Sequence, residues 1–298
     1  MSMKQTTLWT ALVTPFTADA SAVDYATLKT LLKRQEAAGA GVLILGSTGE
    51  SLALSDEEKC EIVKFTFAQK LSVPIMIGTP NINLAHALDW ISFCRGQGAD
   101  AYLAATPSYS KPGPQGQLGW FTKILDACDA PVMLYNVPSR TGASLSSEVL
   151  RTLQNHKNFW AVKESSGGVD AYNDYASAAP KVALFCGDDP IMASAAPLGA
   201  CGLVSVASNM WPEACAAYVN ACLKGTYNGT EWHRISKALF MTTSPVPVKA
   251  IMQARGIMPS AMVRLPLSTK DLANIDALNA ADQLVNEWYR AKSKEKAA

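Results

Sequence analysis

Gly41-Val-Leu-Ile-Leu-Gly-Ser-Thr-Gly-Glu-Ser-Leu-Ala-Leu-Ser-Asp-Glu-Glu58 holds a complete strand-to-helix unit, and its repetition decides the fold. The run Gly41–Leu45 is apolar without alternation, so both faces of that strand are covered. Gly46-Ser47-Thr48-Gly49-Glu50-Ser51 is turn chemistry. Ser55, with Glu58 three residues on, is a capping box that opens a helix over Lys59-Cys-Glu-Ile-Val-Lys-Phe-Thr-Phe67.

The same unit recurs along the chain. Short apolar runs stand at residues 8–13, 41–45, 73–77, 101–104, 131–135, 160–162, 182–186 and 202–206. Helical signals separate them, as where Asp24 opens Tyr25-Ala-Thr-Leu-Lys-Thr-Leu-Leu32, which ends near Gly39. Buried strands alternating with helices make a parallel sheet, and eight such units make a closed (β/α)8 TIM barrel. An open doubly wound sheet is the alternative. After the eighth run the pattern turns to helices alone, over 212–224, 231–242, 246–256 and 272–290. The expected organisation is a catalytic barrel over residues 1–225 and a C-terminal α-helical region over 226–298 packed on it. No linker rich in Gly, Ser or charge separates the two.

Composition narrows the class. The chain has 298 residues, is 49% hydrophobic and carries a net charge of +1. A near-neutral surface argues against nucleic acid or anionic membrane as the partner, and the one dense basic stretch, Arg290–Lys296, reads as a solvated helix end. No run approaches the roughly 18 apolar residues of a membrane span. Seven cysteines without CxxC spacing read as core residues of a reduced, cytoplasmic protein. There is neither GxGxxG nor GxxxxGK[ST], and His86, His156 and His233 are scattered, so neither a nucleotide nor a metal is expected.

In a (β/α)8 barrel the site lies where the strands end, so the residues that follow each run matter most. The second run leads to Ser47 and Thr48, whose hydroxyls and backbone amides suit a carboxylate. The fourth leads to Thr106-Pro-Ser-Tyr-Ser-Lys-Pro-Gly-Pro114, which restrains Tyr109. The fifth ends Leu134-Tyr-Asn-Val-Pro-Ser-Arg-Thr-Gly142, placing Tyr135 to carry protons and Arg140 to grip a carboxylate. The sixth closes at Lys163, before the turn-like Glu164-Ser-Ser-Gly-Gly168. The seventh ends at Gly187, where a ligand could approach the backbone, and Asp188-Asp189-Pro190 reads as a helix N-terminus. The eighth passes through Val204. An amine, hydroxyls, two tyrosines and an arginine, with no metal or histidine base, suit Schiff-base chemistry on a 2-oxo acid.

At these residues the chain resembles the pyruvate-dependent class I aldolases, the N-acetylneuraminate lyase family of barrels. Gly46-Ser-Thr-Gly-Glu50 and Val162-Lys-Glu164 mark the broad family. Tyr135-Asn-Val-Pro-Ser-Arg-Thr-Gly142 is similar to the branch that condenses pyruvate with L-aspartate 4-semialdehyde for diaminopimelate and lysine biosynthesis. The resemblance implies that Lys163 forms the Schiff base and that Tyr135 exchanges protons in a relay with Ser47 and Tyr109. It implies that Thr48 holds the pyruvate carboxylate, Arg140 holds the semialdehyde carboxylate, and the Gly187 and Val204 backbones line the pyruvate pocket. No cofactor is called for. The implied assembly is a homotetramer, a dimer of dimers, with Tyr109 lent across the tight interface. Ser47 stands where many members have threonine, which preserves the hydroxyl. Feedback-inhibited members bind lysine at a subunit interface; the aligned places here are Asp56, Lys59, Ile82, His86 and Ser108. A cationic Lys59 would repel the inhibitor's ammonium, so inhibition by L-lysine is expected to be weak or absent.

Two other readings share part of the set. A lyase for sialic acid or a 2-keto-3-deoxy sugar acid would keep Lys163 and Tyr135, but would serve a polyhydroxylated tail better with hydroxyl and amide groups than with Arg140. A non-catalytic barrel that binds a 2-oxo acid would be expected to have lost some member of the set.

Overall fold

The structure is a computed structural model describing residues 3–227 and 230–297. Eight strands close into one parallel barrel in chain order: β1 Leu8–Ala11, β2 Gly41–Ile44, β3 Ile75–Gly78, β4 Ala101–Ala105, β5 Val132–Asn136, β6 Phe159–Glu164, β7 Ala183–Cys186 and β8 Ala200–Ser205. Closure is by β1 against β8, with Trp9 beside Val204. The (β/α)8 barrel is therefore the fold, and the open sheet is excluded.

Alternation along each strand divides the apolar residues between two cores. Trp9, Leu43, Met76, Leu103, Met133, Tyr135, Ala161, Phe185 and Val204 point inward and fill the barrel. Val42, Ile44, Ile75, Ile77, Leu134, Val162 and Leu184 point outward, beneath the helices. This is why the strands read as apolar runs: nearly every position is buried on one side or the other, with Cys201 in β8 exposed and Ala105, Trp160 and Ala183 partly so.

The local signals act as expected. Asp24 accepts from the Thr27 N–H and caps the helix Tyr25–Ala37, and Gly39 follows its end at φ +69°. Ser55 and Glu58 make the reciprocal capping box of the helix Asp56–Ala68.

Several boundaries differ from the sequence reading. β6 extends one residue past Lys163, because Glu164 pairs with both neighbouring strands; β8 starts at Ala200, two residues early. The helix expected over 231–242 is α-helical over Glu231–Lys237 and then tightens to a 3₁₀ turn, Ala238–Phe240. The last helix runs Asp276–Ala297 rather than 272–290. Asp276 at its first turn suits the helix dipole, and no breaker follows Arg290.

The C-terminal helices are tied into the barrel by specific polar contacts. Asp282 accepts from Trp211 Nε1 and from Arg255 Nε, each at 2.7 Å, joining the last helix to the segment after β8 and to the end of the helix Val246–Ala254. Tyr218 and Trp232 stack with ring centroids 4.5 Å apart.

Candidate active site

β5, β6 and β7 bring the central groups together. Lys163 pairs in register with Tyr135 on one side and Phe185 on the other, so all three face the barrel interior. Lys163 is 5% exposed, and its Nζ lies 4.3 Å from the centroid of the Tyr135 ring. A lysine that merely snorkelled to water would not be so covered.

Gly187 also makes room for neighbouring side chains. A Cβ there would lie 2.7 Å from Lys163 Cε and 2.9 Å from Lys163 Cγ. Glycine at this point leaves room for the lysine side chain.

The outward face of these strand ends is a carboxylate network. Glu164 is fully buried and accepts from Asn136 Nδ2 at 2.6 Å and from the Ser166 N–H at 2.7 Å. Asn136 Oδ1 in turn accepts from the Leu145 N–H. Asp188 and Asp189 do open a 3₁₀ turn, but neither side chain caps it. Asp189 is buried, accepts from the Ser205 hydroxyl and the Val206 and Ala207 N–H groups, and pins the end of β8. Asp188 accepts from the Gly167 N–H; burial pushes its carboxyl up to about 6, against the pull of that hydrogen bond and of the Lys163 charge.

A cavity of 550 Å³ opens at the same mouth. Ser47, Tyr135, Arg140 and Thr141 line one part of it, and Lys59, Ile82, His86 and Ser108 another. Lys163 does not line it directly and meets it through Tyr135. Arg140 lies on the one-turn helix Pro138–Thr141 and donates from Nη2 to the Ser244 carbonyl at 3.3 Å. Thr48 is buried in the loop after β2, and Val204 is buried among the inward side chains. Tyr109 is the residue this chain does not bring in: its backbone takes φ +67° and its side chain is 94% exposed. Among the described residues no group of three or more His, Cys, Asp or Glu could hold a metal ion.

Sequence reading did not find the device behind the Ser47–Thr48 loop. Glu50 is buried, with Lys249 Nζ 2.5 Å from Oε1 and the Arg264 N–H 2.9 Å from Oε2. Lys249 also donates to the Met262 carbonyl and lies over the Phe16 ring. Burial lowers its ammonium to about 8 even though Glu50 opposes the shift. The available signal was a single lysine inside the apolar helix Val246-Pro-Val-Lys-Ala-Ile-Met252. Four buried hydroxyls, on Thr66, Ser165, Tyr172 and Ser244, find no partner among the described residues, and of these Ser165 and Ser244 neighbour the site residues Lys163 and Arg140 and were also missed.

A closed parallel barrel with a covered lysine beside a tyrosine at the carboxyl ends of its strands is the frame of the lysine-dependent aldolases. The chain belongs to the dihydrodipicolinate synthetase family, whose sequence profile matches residues 4–283. It is 45% identical over 287 residues to the 4-hydroxy-tetrahydrodipicolinate synthase of Wolbachia pipientis wMel, covering 96% of this chain and 98% of that one. It is 43% identical to the synthase of Francisella philomiragia, covering 95% and 96%. Among solved structures, the synthase of Methylacidiphilum fumariolicum SolV superposes with a TM-score of 0.88 at 30% identity, covering 95% and 96%. The dihydrodipicolinate synthase of Acinetobacter baumannii complexed with pyruvate gives 0.87 at 28%, covering 94% and 99%.

Proposed function

We propose that this protein condenses pyruvate with L-aspartate 4-semialdehyde to 4-hydroxy-tetrahydrodipicolinate, the step that opens the diaminopimelate route to lysine. The observation that carries the reading is Lys163, a covered amine held 4.3 Å from the Tyr135 ring at the barrel mouth. The relatives that share nearly its whole length bear the synthase name.

In this reading Lys163 adds to the ketone of pyruvate, and the protonated imine is the electron sink, so the chemistry as written draws on no separate cofactor. Tyr135 moves the protons in a relay with Ser47 and with a Tyr109 from a second subunit. The outward, exposed Tyr109 ring supports that last role, since its own chain leaves it uncovered. A homotetramer built from such pairs is the corresponding assembly. Thr48 takes the pyruvate carboxylate, with the Gly187 and Val204 backbones around it. The enamine carbon attacks the aldehyde, and the adduct's amino group closes the ring and releases Lys163. Arg140 takes the second carboxylate. Holding both substrates makes the condensation effectively intramolecular.

A cytoplasmic location is the one proposed for such a biosynthetic enzyme; no helix among the described residues is long and apolar enough to cross a membrane.

The test is a coupled assay with both substrates, run beside borohydride trapping with pyruvate and intact mass measurement. The wild type should gain one pyruvate-derived adduct and Lys163→Ala none; an adduct that survives Lys163→Ala sinks the proposal. Arg140→Ala should still form the adduct but lose about ten- to hundredfold in kcat/KM for the semialdehyde, the scale of a lost charge-assisted hydrogen-bond pair. Full efficiency in that variant would overturn the substrate assignment.

A further inference from the structure

Just past β6, on its inner face, stands a hydroxyl that the reaction described above leaves unused. Alternation puts Ala161, Lys163 and Ser165 on one face, and Ala161 is among the side chains that fill the barrel. Ser165 therefore stands one step nearer the mouth than the amine. Its backbone is fixed, because its N–H donates to the Asn136 carbonyl at 2.9 Å. The residue is 6% exposed, and its Oγ meets no hydrogen-bond partner among the described residues.

Gly187 locates that hydroxyl. A Cβ on Gly187 would lie 1.9 Å from Ser165 Oγ and 2.7 Å from Lys163 Cε, so the hydroxyl and the methylene bearing the amine converge on one point of the barrel wall. A buried hydroxyl without a partner is destabilising, and native structures retain one where it has another use.

We propose that Ser165 is a further catalytic residue, whose hydroxyl donates a hydrogen bond to the oxygen of the carbinolamine formed as Lys163 adds to the 2-oxo carbon. The inference rests on the Schiff-base reading given above. The nitrogen of Lys163 bonds to the ketone carbon while the carbonyl π pair moves to oxygen. A proton passes from nitrogen to that oxygen. The C–O bond then breaks, one further proton is taken up, and the products are the protonated imine and water. Ser165 keeps its own proton throughout. It holds the oxygen while negative charge develops there and while it departs.

The test mixes enzyme with pyruvate, quenches into borohydride at timed intervals, reads the adduct by intact mass, and measures thermal unfolding in parallel. Ser165→Ala should form the adduct about tenfold more slowly, the scale of one lost hydrogen bond in the transition state. Its Tm should stay level or rise, because an unpaired buried hydroxyl has gone. Equal adduct rates in the two proteins overturn the proposal. A slowed adduct with a Tm lower by several degrees also overturns it, since that pattern marks a structural hydroxyl. A wild type that forms no adduct at all fails the Schiff-base reading instead, and the two failures are told apart by that control.

Discussion

The position of Lys163 depends on a side chain that is missing from its neighbour. With a Cβ at Gly187 only 1.9 Å from Ser165 Oγ and 2.7 Å from Lys163 Cε, Gly187→Ala should fold and yet move both the hydroxyl and the amine. A misplacement of about 1 Å at a reacting atom costs on the order of a hundredfold in rate, so kcat should fall by roughly that factor. Single-turnover adduct formation would check this, and an unchanged rate would show that the lysine has other room. Asp188 makes a pH prediction. Burial raises its folded pKa to about 6 from an ordinary value of 3.8. A raised carboxyl stabilises the fold while protonated, below about pH 4, and that contribution is lost as pH rises through about 6. Asp188→Asn, which can still accept from the Gly167 N–H, should therefore match the wild type in Tm near pH 4 and exceed it at pH 7. A Tm difference that stays constant with pH would contradict this.

At the scale of elements, the loop bearing Ser47 and Thr48 is fixed from behind by a segment that arrives much later in the chain. The Glu50–Lys249 pair is buried on both sides, and Arg264 adds a backbone donor to Glu50 and a two-pronged grip on Glu58. A buried pair gains little over an apolar replacement, but breaking it leaves one charge uncompensated. Lys249→Met should thus lose about 3–5 kcal/mol in urea unfolding, and the double variant Glu50→Gln/Lys249→Met distinctly less. Single and double variants of equal stability would show that the two side chains do not act as a unit. The outer part of the cavity bears on regulation. Lys59 and His86 both meet Asp56, at 3.0 and 3.1 Å, so the carboxylate that could greet an incoming ammonium is already engaged, and the Lys59 hydrogen bond holds it below the usual range. L-lysine is therefore expected to inhibit only weakly, and an inhibition constant in the micromolar range would refute the expectation.

At the scale of the whole molecule, we propose that residues 226–298 unfold together with the barrel of 1–225, because Lys249 reaches Glu50, Arg264 reaches Glu58, and Asp282 of the last helix holds Trp211, each across that boundary. The sequence alone determined the eight-unit barrel, since continuous apolar runs and paired capping signals are local and each strand needs cover on both faces. It also determined which strand ends and loops carry polar residues, and so the placement of Lys163, Tyr135, Ser47, Thr48 and Arg140 around the strand ends was legible from the runs they close or follow. Only the tertiary structure decided what lies between those loops. Ser165 reads as one more turn residue until strand alternation and Gly187 set it beside the amine. Asp189 reads as a cap until β8 presents its N–H groups, and Glu50 as loop polarity until Lys249 arrives from 199 residues away. Such contacts join residues whose spacing in the chain carries no period, and burial, which sets their energies, exists only once the barrel has closed.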